Sequence, residues 1–170
     1  MIFVGEQPGD YEDKAGHPFV GPAGRMFDKA LAEARLDREK VYVTNAVKHF
    51  KWKPMGKRRK HERPLASEMN ACFPWLESEA EAVRPQILVC LGATAAQSVL
   101  KKKVAIQKER GTFQESPLAP ATFVTVHPSS IYRHPEKSQQ ELEYRRFVDD
   151  MKLVRAKLAE LEKKRVRLAG

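Results

Sequence analysis

Four apolar residues, Met1 to Val4, run straight into the segment GEQPGDYEDKAGHPFVGPAG, and this junction limits what the rest of the chain can become. A short apolar run stopped by glycine reads as a buried strand. A strand delivers its following loop to the C-terminal edge of a sheet, where open α/β sheets bind ligands and where glycines let the backbone approach them. The loop carries Glu6, Gln7, Asp10, Glu12 and Asp13. An acidic surface turn would look much the same. Against that, Phe19 and Val20 are apolar residues among turn formers and give the loop its own anchor, and Pro22 to Gly24 then open a helix.

The remaining chain alternates strand and helix. Ala23 to Arg35 has Met26, Phe27, Ala30, Leu31 and Ala34 at helical spacing. Val41 to Val47 is a second strand, with Asn45 near its C-terminal end; an amide there serves as a turn residue or as a group able to donate and accept at once. Glu68 to Ala82 is a helix with Ser67 as its expected cap and a stripe of Met69, Cys72, Leu76 and Ala80. Gln86 to Leu91 is a strand buried on both faces, which makes Cys90 a core thiol, and Gly92 and Ala93 turn the chain into a helix ending at Leu100. Val104 to Ile106 and Thr112 to Gln114 read as short extended segments. Ala121 to Val126 is the last main strand, and it delivers His127 at the head of HPSSIYRHP. A long charged helix, about 139–168, carries a stripe of Leu142, Phe147, Met151, Val154, Leu158 and Leu161, suited to docking on the domain, with a partner helix as the alternative. The whole, 1–170, is one α/β domain.

Lys48 to Arg63, KHFKWKPMGKRRKHER, is a basic run with Phe50 and Trp52 interleaved, and Pro54 and Gly56 mark it as a loop. Lysines and arginines neutralise phosphates while aromatic rings stack on bases, a combination that points to nucleic acid, although a charge run is often only a solvated loop. The net charge of +9 agrees with a polyanionic partner. No apolar run approaches the ~20 residues that span a bilayer, and no signal peptide opens the chain, so a soluble, cytoplasmic protein is expected. Two cysteines exclude a disulfide framework, and no GxGxxG, GxxxxGKS or HExxH motif is present. Met1 lies directly inside a strand, so a segment upstream is expected.

Loop 5–21, Asn45, the basic loop with His61, and His127 all follow parallel-strand candidates and should converge on one rim. That rim would hold carboxylates, a phenyl ring, an amide and two imidazoles within a positive field. Such a set suits a site that extrudes a base and works on its glycosidic bond.

GEQPGDYEDKAGHPFVGPAG, TNAVKHF, GKRRKH and HPSSIYR together resemble the uracil-DNA glycosylase superfamily, its iron–sulfur (family 4-like) branch, and within that the X-type (UdgX) group. The resemblance runs from Met1 to about Asp150, with the segments in the family's order. It implies a three-layer α/β/α sandwich around a four-stranded parallel sheet, acting as a monomer on uracil in DNA, preferably single-stranded. Phe19 then corresponds to the ring that stacks on the flipped uracil, and Asn45 to the amide that accepts from N3 and donates to O4, a pattern cytosine reverses. Backbone groups around Gln7 and Asp10 complete the pocket, and His127 donates to O2 as the base leaves. Lys57, Arg58, Arg59, Ser129, Ser130 and Arg133 correspond to DNA contacts, with Arg58 and Arg59 also holding the basic loop.

In the X-type group the histidine closing the KRR-x-H loop, His61 here, attacks the anomeric carbon once uracil has left, so the protein stays covalently bound and turns over once. Glu6 orients that imidazole and stabilises the positive sugar. Two departures stand out. The usual KRRIH has become KRRKH, with Lys60 before His61. The family's 4Fe-4S cluster takes a CxxC pair plus two later ligands, matched here by His49 and Cys72, but this chain contains no CxxC. A conventional hydrolytic glycosylase, in which Lys60 misplaces His61 and water attacks, and a non-catalytic binder of single-stranded DNA are the alternatives.

Overall fold

β1 (Ile2–Gly5) forms where the first apolar run predicts it, and all four of its residues are buried. The structure, a computed structural model, describes residues 1–169. The segment after β1 is not all loop: α1 (Asp10–Ala15) places Asp10, Glu12 and Asp13 in its first turn, where carboxylates complement the free amides, and Gly16 at φ +70° ends it. α2 (Pro22–Glu33) starts on a proline and buries Phe27, Ala30 and Leu31. β2 (Tyr42–Asn45) is shorter than the apolar run suggests.

The basic run differs from expectation. Instead of a loop, it folds into a hairpin of β3 (Trp52–Met55) and β4 (Arg58–His61), with Gly56 at φ +58° in the first turn position. Pro54 is tolerated because a two-stranded ladder has open edges where an N–H is dispensable. α3 (Ala66–Val83) also departs from its expected start: Ser67 lies inside the helix, and the Glu68 carboxylate accepts from the Leu65 N–H at 2.6 Å.

β5 (Ile87–Leu91) and α4 (Ala93–Leu100) follow as expected. The segment read as extended near Val104 instead leads into α5 (Ile106–Glu109). Beyond it come β6 (Thr112–Ser116), β7 (Ala119–Thr125), α6 (Pro128–Tyr132) and α7 (Lys137–Ala169). The main sheet runs β2-β1-β5-β7-β6. Its first four strands are parallel, and β6 adds a fifth, antiparallel edge, because the two residues between β6 and β7 leave no length for a crossover.

Alternation along the central strands builds the three layers. Phe3, Ile87, Val89, Leu91 and Phe123 face one core with α2, α6 and α7, whereas Ile2, Val4, Leu88, Cys90 and Val124 face the other with α3 and α4. The α7 stripe docks on the first core through Phe147, Met151 and Val154, while Leu142 is exposed. Among the described residues no helix is long and apolar enough to cross a membrane.

Candidate active site

The chain leaves β1 for β2 on one side and later places β5 on the other, so the loops after β1 and β5 diverge. Crevices in open α/β sheets form at such a reversal. Here it opens into a cavity of about 530 Å³, lined by groups following β1 (Glu6, Gln7, Asp10, Phe19), Asn45 of β2, Arg59 and His61 of the hairpin, Thr94 after β5, and His127 after β7.

Phe19, Asn45 and His127 form one wall. Phe19 is buried and sits at φ +58°, a left-handed conformation that a bulky residue adopts only under constraint. The constraint is visible. Its ring packs 5.3 Å from Phe27, and its carbonyl oxygen lies 1.6 Å from where a Cβ on Gly24 would stand. Gly5 matters equally, because a Cβ there would meet Asn45 Oδ1 at 2.4 Å and the Phe19 ring at 2.9 Å. Asn45 is 6% exposed, and its carboxamide makes no hydrogen bond to protein among the described residues, leaving both polar atoms for a ligand. Its backbone is held by Lys48, whose Nζ donates to Asn45 O at 2.9 Å, to Thr44 Oγ1 at 2.8 Å and to Glu79 Oε2 at 2.7 Å.

The His127 ring lies 5.8 Å from that of Phe19. Its Nδ1 accepts the Ser129 N–H at 3.1 Å, which assigns the ring proton to Nε2. Burial pushes its pKa down to about 4, with Glu6 opposing and Arg133 and His61 adding to the shift, so the imidazole is a neutral N–H donor at neutral pH. Two predicted DNA contacts turn inward: the Ser129 hydroxyl lies 2.8 Å from Nδ1 and accepts from Arg133 Nη2, so both side chains are committed to seating His127. Ser130 stays exposed and caps the His127 carbonyl.

The hairpin is fastened to the β1 loop at two points. Gln7, 7% exposed, donates from Nε2 to Lys51 O at 3.2 Å and Glu62 O at 3.0 Å and accepts from Lys51 N at 3.3 Å, clamping both ends of the hairpin base. Arg59 pairs with Asp10 at 2.5 Å and Asp13 at 2.6 Å and lies over the Phe50 and Trp52 rings. Its guanidinium is therefore occupied by the loop, while Lys57 and Arg58 are exposed. Fastened this way, β4 brings His61 Nε2 to 3.2 Å from Glu6 Oε1. Burial works to raise the Glu6 carboxyl, but hydrogen bonds from His61 and Thr94 and the two nearby imidazoles hold it below its ordinary value. Lys60 pairs with Lys53 across the ladder, on the opposite hairpin face from Arg59 and His61, and is exposed.

Thr94 is a site residue the sequence reading passed over. Its signal was available: it follows β5, and the strand-end rule that selected Asn45 and His127 applies to Gly92–Thr94 as well. The cluster positions fare differently. Cys72 is buried and His49 exposed, the other cysteine lies in the core in β5, and no group of three or more His, Cys, Asp or Glu poised for a metal occurs among the described residues. Two donors do not fit a four-ligand 4Fe-4S cluster, and no step of the chemistry is assigned to one.

Over residues 1–152 the chain matches the family described as the Uracil DNA glycosylase superfamily. It is 38% identical over 135 residues to a Type-4 uracil-DNA glycosylase of Thermotoga maritima, covering 79% of this chain and 67% of that protein. A Type-4 uracil-DNA glycosylase of Archaeoglobus fulgidus is 42% identical over 99 residues, 58% of this chain and 46% of that one. One from Sulfurisphaera tokodaii is 33% identical over 145 residues, 79% and 62% respectively. The chain thus spans 46% to 67% of these relatives' lengths.

Proposed function

The chain belongs to the uracil-DNA glycosylase superfamily, and from that premise we propose that it excises uracil from DNA, single strands preferred, and remains joined to the abasic sugar through His61. The observation that carries this is the Glu6–His61 contact at 3.2 Å, made in the lining of the same cavity as Phe19, Asn45 and His127.

The extruded uracil stacks on Phe19, while the free Asn45 carboxamide accepts from N3–H and donates to O4. Cytosine offers the reverse pattern and would leave buried polar groups unpaired, which rejects it strongly. As the bond from N1 to C1′ breaks, its electron pair departs with the base, and the negative charge reaches O2. There the Nε2–H of neutral His127 donates, a preorganised contact that strengthens as charge develops. The Glu6 carboxylate faces the positive sugar. The unprotonated ring nitrogen of His61 then bonds to C1′, and the imidazolium so formed loses its remaining N–H proton to a nearby carboxylate or to solvent. Lys57 and Arg58, exposed at the turn end of the hairpin, meet the strand's phosphates.

Incubation with a single-stranded oligonucleotide containing one uracil, followed by a denaturing gel, tests both halves. A heat- and SDS-resistant shifted band is expected from the wild-type chain. His61→Ala should lose that band and release abasic DNA instead. Uracil release without any adduct would leave a hydrolytic glycosylase, with water attacking where His61 stands. Absence of uracil release would remove the activity altogether.

A further inference from the structure

Glu6 has two carboxylate oxygens, and only one of them faces His61. The other, Oε2, accepts a hydrogen bond from Thr94 Oγ1. Thr94 is 2% exposed and stands in the first turn of α4. Its carrier is itself constrained. Gly92, at φ +93°, donates its N–H to Thr125 O at 2.9 Å, and a Cβ at Gly92 would lie 3.1 Å from that of His127. The β5–α4 turn is therefore pressed against the strand end that carries His127. Threonine's branched Cβ restricts χ1, which limits the directions its hydroxyl can take. Arg63 Nε reaches the same Oγ1 at 3.4 Å, from the segment just beyond β4.

A glutamate's terminal torsion is broad, so an untethered carboxylate would swing. We propose that Thr94 is a positioning residue for the glycosidic chemistry: its hydroxyl pins Glu6 Oε2 so that Oε1 stays directed at His61 and the reacting sugar. This rests on the glycosylase reading above, but it does not depend on whether His61 or water completes the reaction, because Glu6 serves both routes. The groups facing Glu6 are His61 from β4, His127 from after β7 and Arg63 through Thr94.

The test uses the full chain and the same uracil-containing single strand under single-turnover conditions, following uracil release and adduct together. Thr94→Val keeps the shape and removes the hydroxyl. Uracil release should slow by about ten- to a hundredfold, the scale of one hydrogen bond to a charged group. Thr94→Ser should recover to within about threefold of wild type. The acid limb of the rate profile should also move to higher pH in Thr94→Val, because a carboxylate that has lost a donor protonates sooner. Affinity for a uracil-free strand of the same length should not change. If Thr94→Val does not fold, Thr94→Ala against Thr94→Ser isolates the hydroxyl in the same way. Equal rates for Thr94→Val and wild type would overturn the inference, and so would equal losses in the Ser and Ala variants, which would trace the effect to the missing methyl. A wild-type chain that releases no uracil would refute the glycosylase function itself, a separate and recognisable failure.

Discussion

Gln7→Ala should loosen the base of the hairpin that carries His61. The glutamine's three hydrogen bonds, at 3.0 to 3.3 Å, reach Lys51 just before β3 and Glu62 just after β4, so one side chain closes the hairpin's base onto the β1 loop. A neutral hydrogen bond contributes about 0.5–1.5 kcal/mol net, and the site is buried, so their loss should weaken docking by about 2–4 kcal/mol. Arg59 still pairs with Asp10 and Asp13, so the strands should loosen at the base rather than unfold. The local readout is hydrogen exchange at the Glu62 amide, which donates to Lys51 O at 2.9 Å in the folded hairpin. Its protection should fall by about thirty- to several-hundredfold, the equivalent of that weakening, with adduct formation slowing alongside. Gln7→Glu should do no better, because a carboxylate would face the carbonyls of Lys51 and Glu62. Wild-type exchange at Glu62 together with a wild-type adduct rate in Gln7→Ala would refute the clamp.

Gly5→Ala should damage base recognition more than its single methyl suggests, since that methyl would stand 2.4 Å from Asn45 Oδ1 and 2.9 Å from the Phe19 ring. Overpacking of this kind costs about 1–3 kcal/mol, and the measurements are a lowered Tm and reduced uracil-over-cytosine discrimination; unaltered discrimination would contradict the placement of those two groups. His127 makes stability fall on acidification. Its folded pKa of about 4 lies below the ordinary 6.5, so between these values the unfolded chain takes up a proton that the folded chain refuses. The stability present above pH 6.5 should fall by about 3 kcal/mol as pH drops through 4 and then level off, and Glu6, held below its ordinary value, adds in the same direction. Thermal melts of wild type and His127→Gln across this range should diverge, and parallel curves would argue against a neutral buried imidazole. Removing the imidazole in His61→Ala should leave uracil release measurable while eliminating the adduct, as read on the denaturing gel.

The parallel sheet and its rim were legible in the order of residues alone. Buried strands need unbroken apolar runs, helices packed on them need 3.6-residue stripes, and loops at parallel-strand ends share an edge whatever their details. Ile2 to Val4, Ile87 to Leu91 and Phe27 with Leu31 announced themselves for that reason, as did the positions of Asn45 and His127. What lay beyond reach depends on which side chains meet across long sequence separations. The KWKPMGKRRKH stretch has a loop's composition, and it becomes a hairpin because Gln7 holds its base while Asp10 and Asp13 hold Arg59. Thr94 looks like an ordinary helix residue until folding brings it, 88 positions away, onto Glu6. Periodicity reports how a segment meets solvent and core, and that much is local. Hydrogen bonds are short-ranged and directional, so their pairing is decided only when the folded chain has set its strand ends side by side.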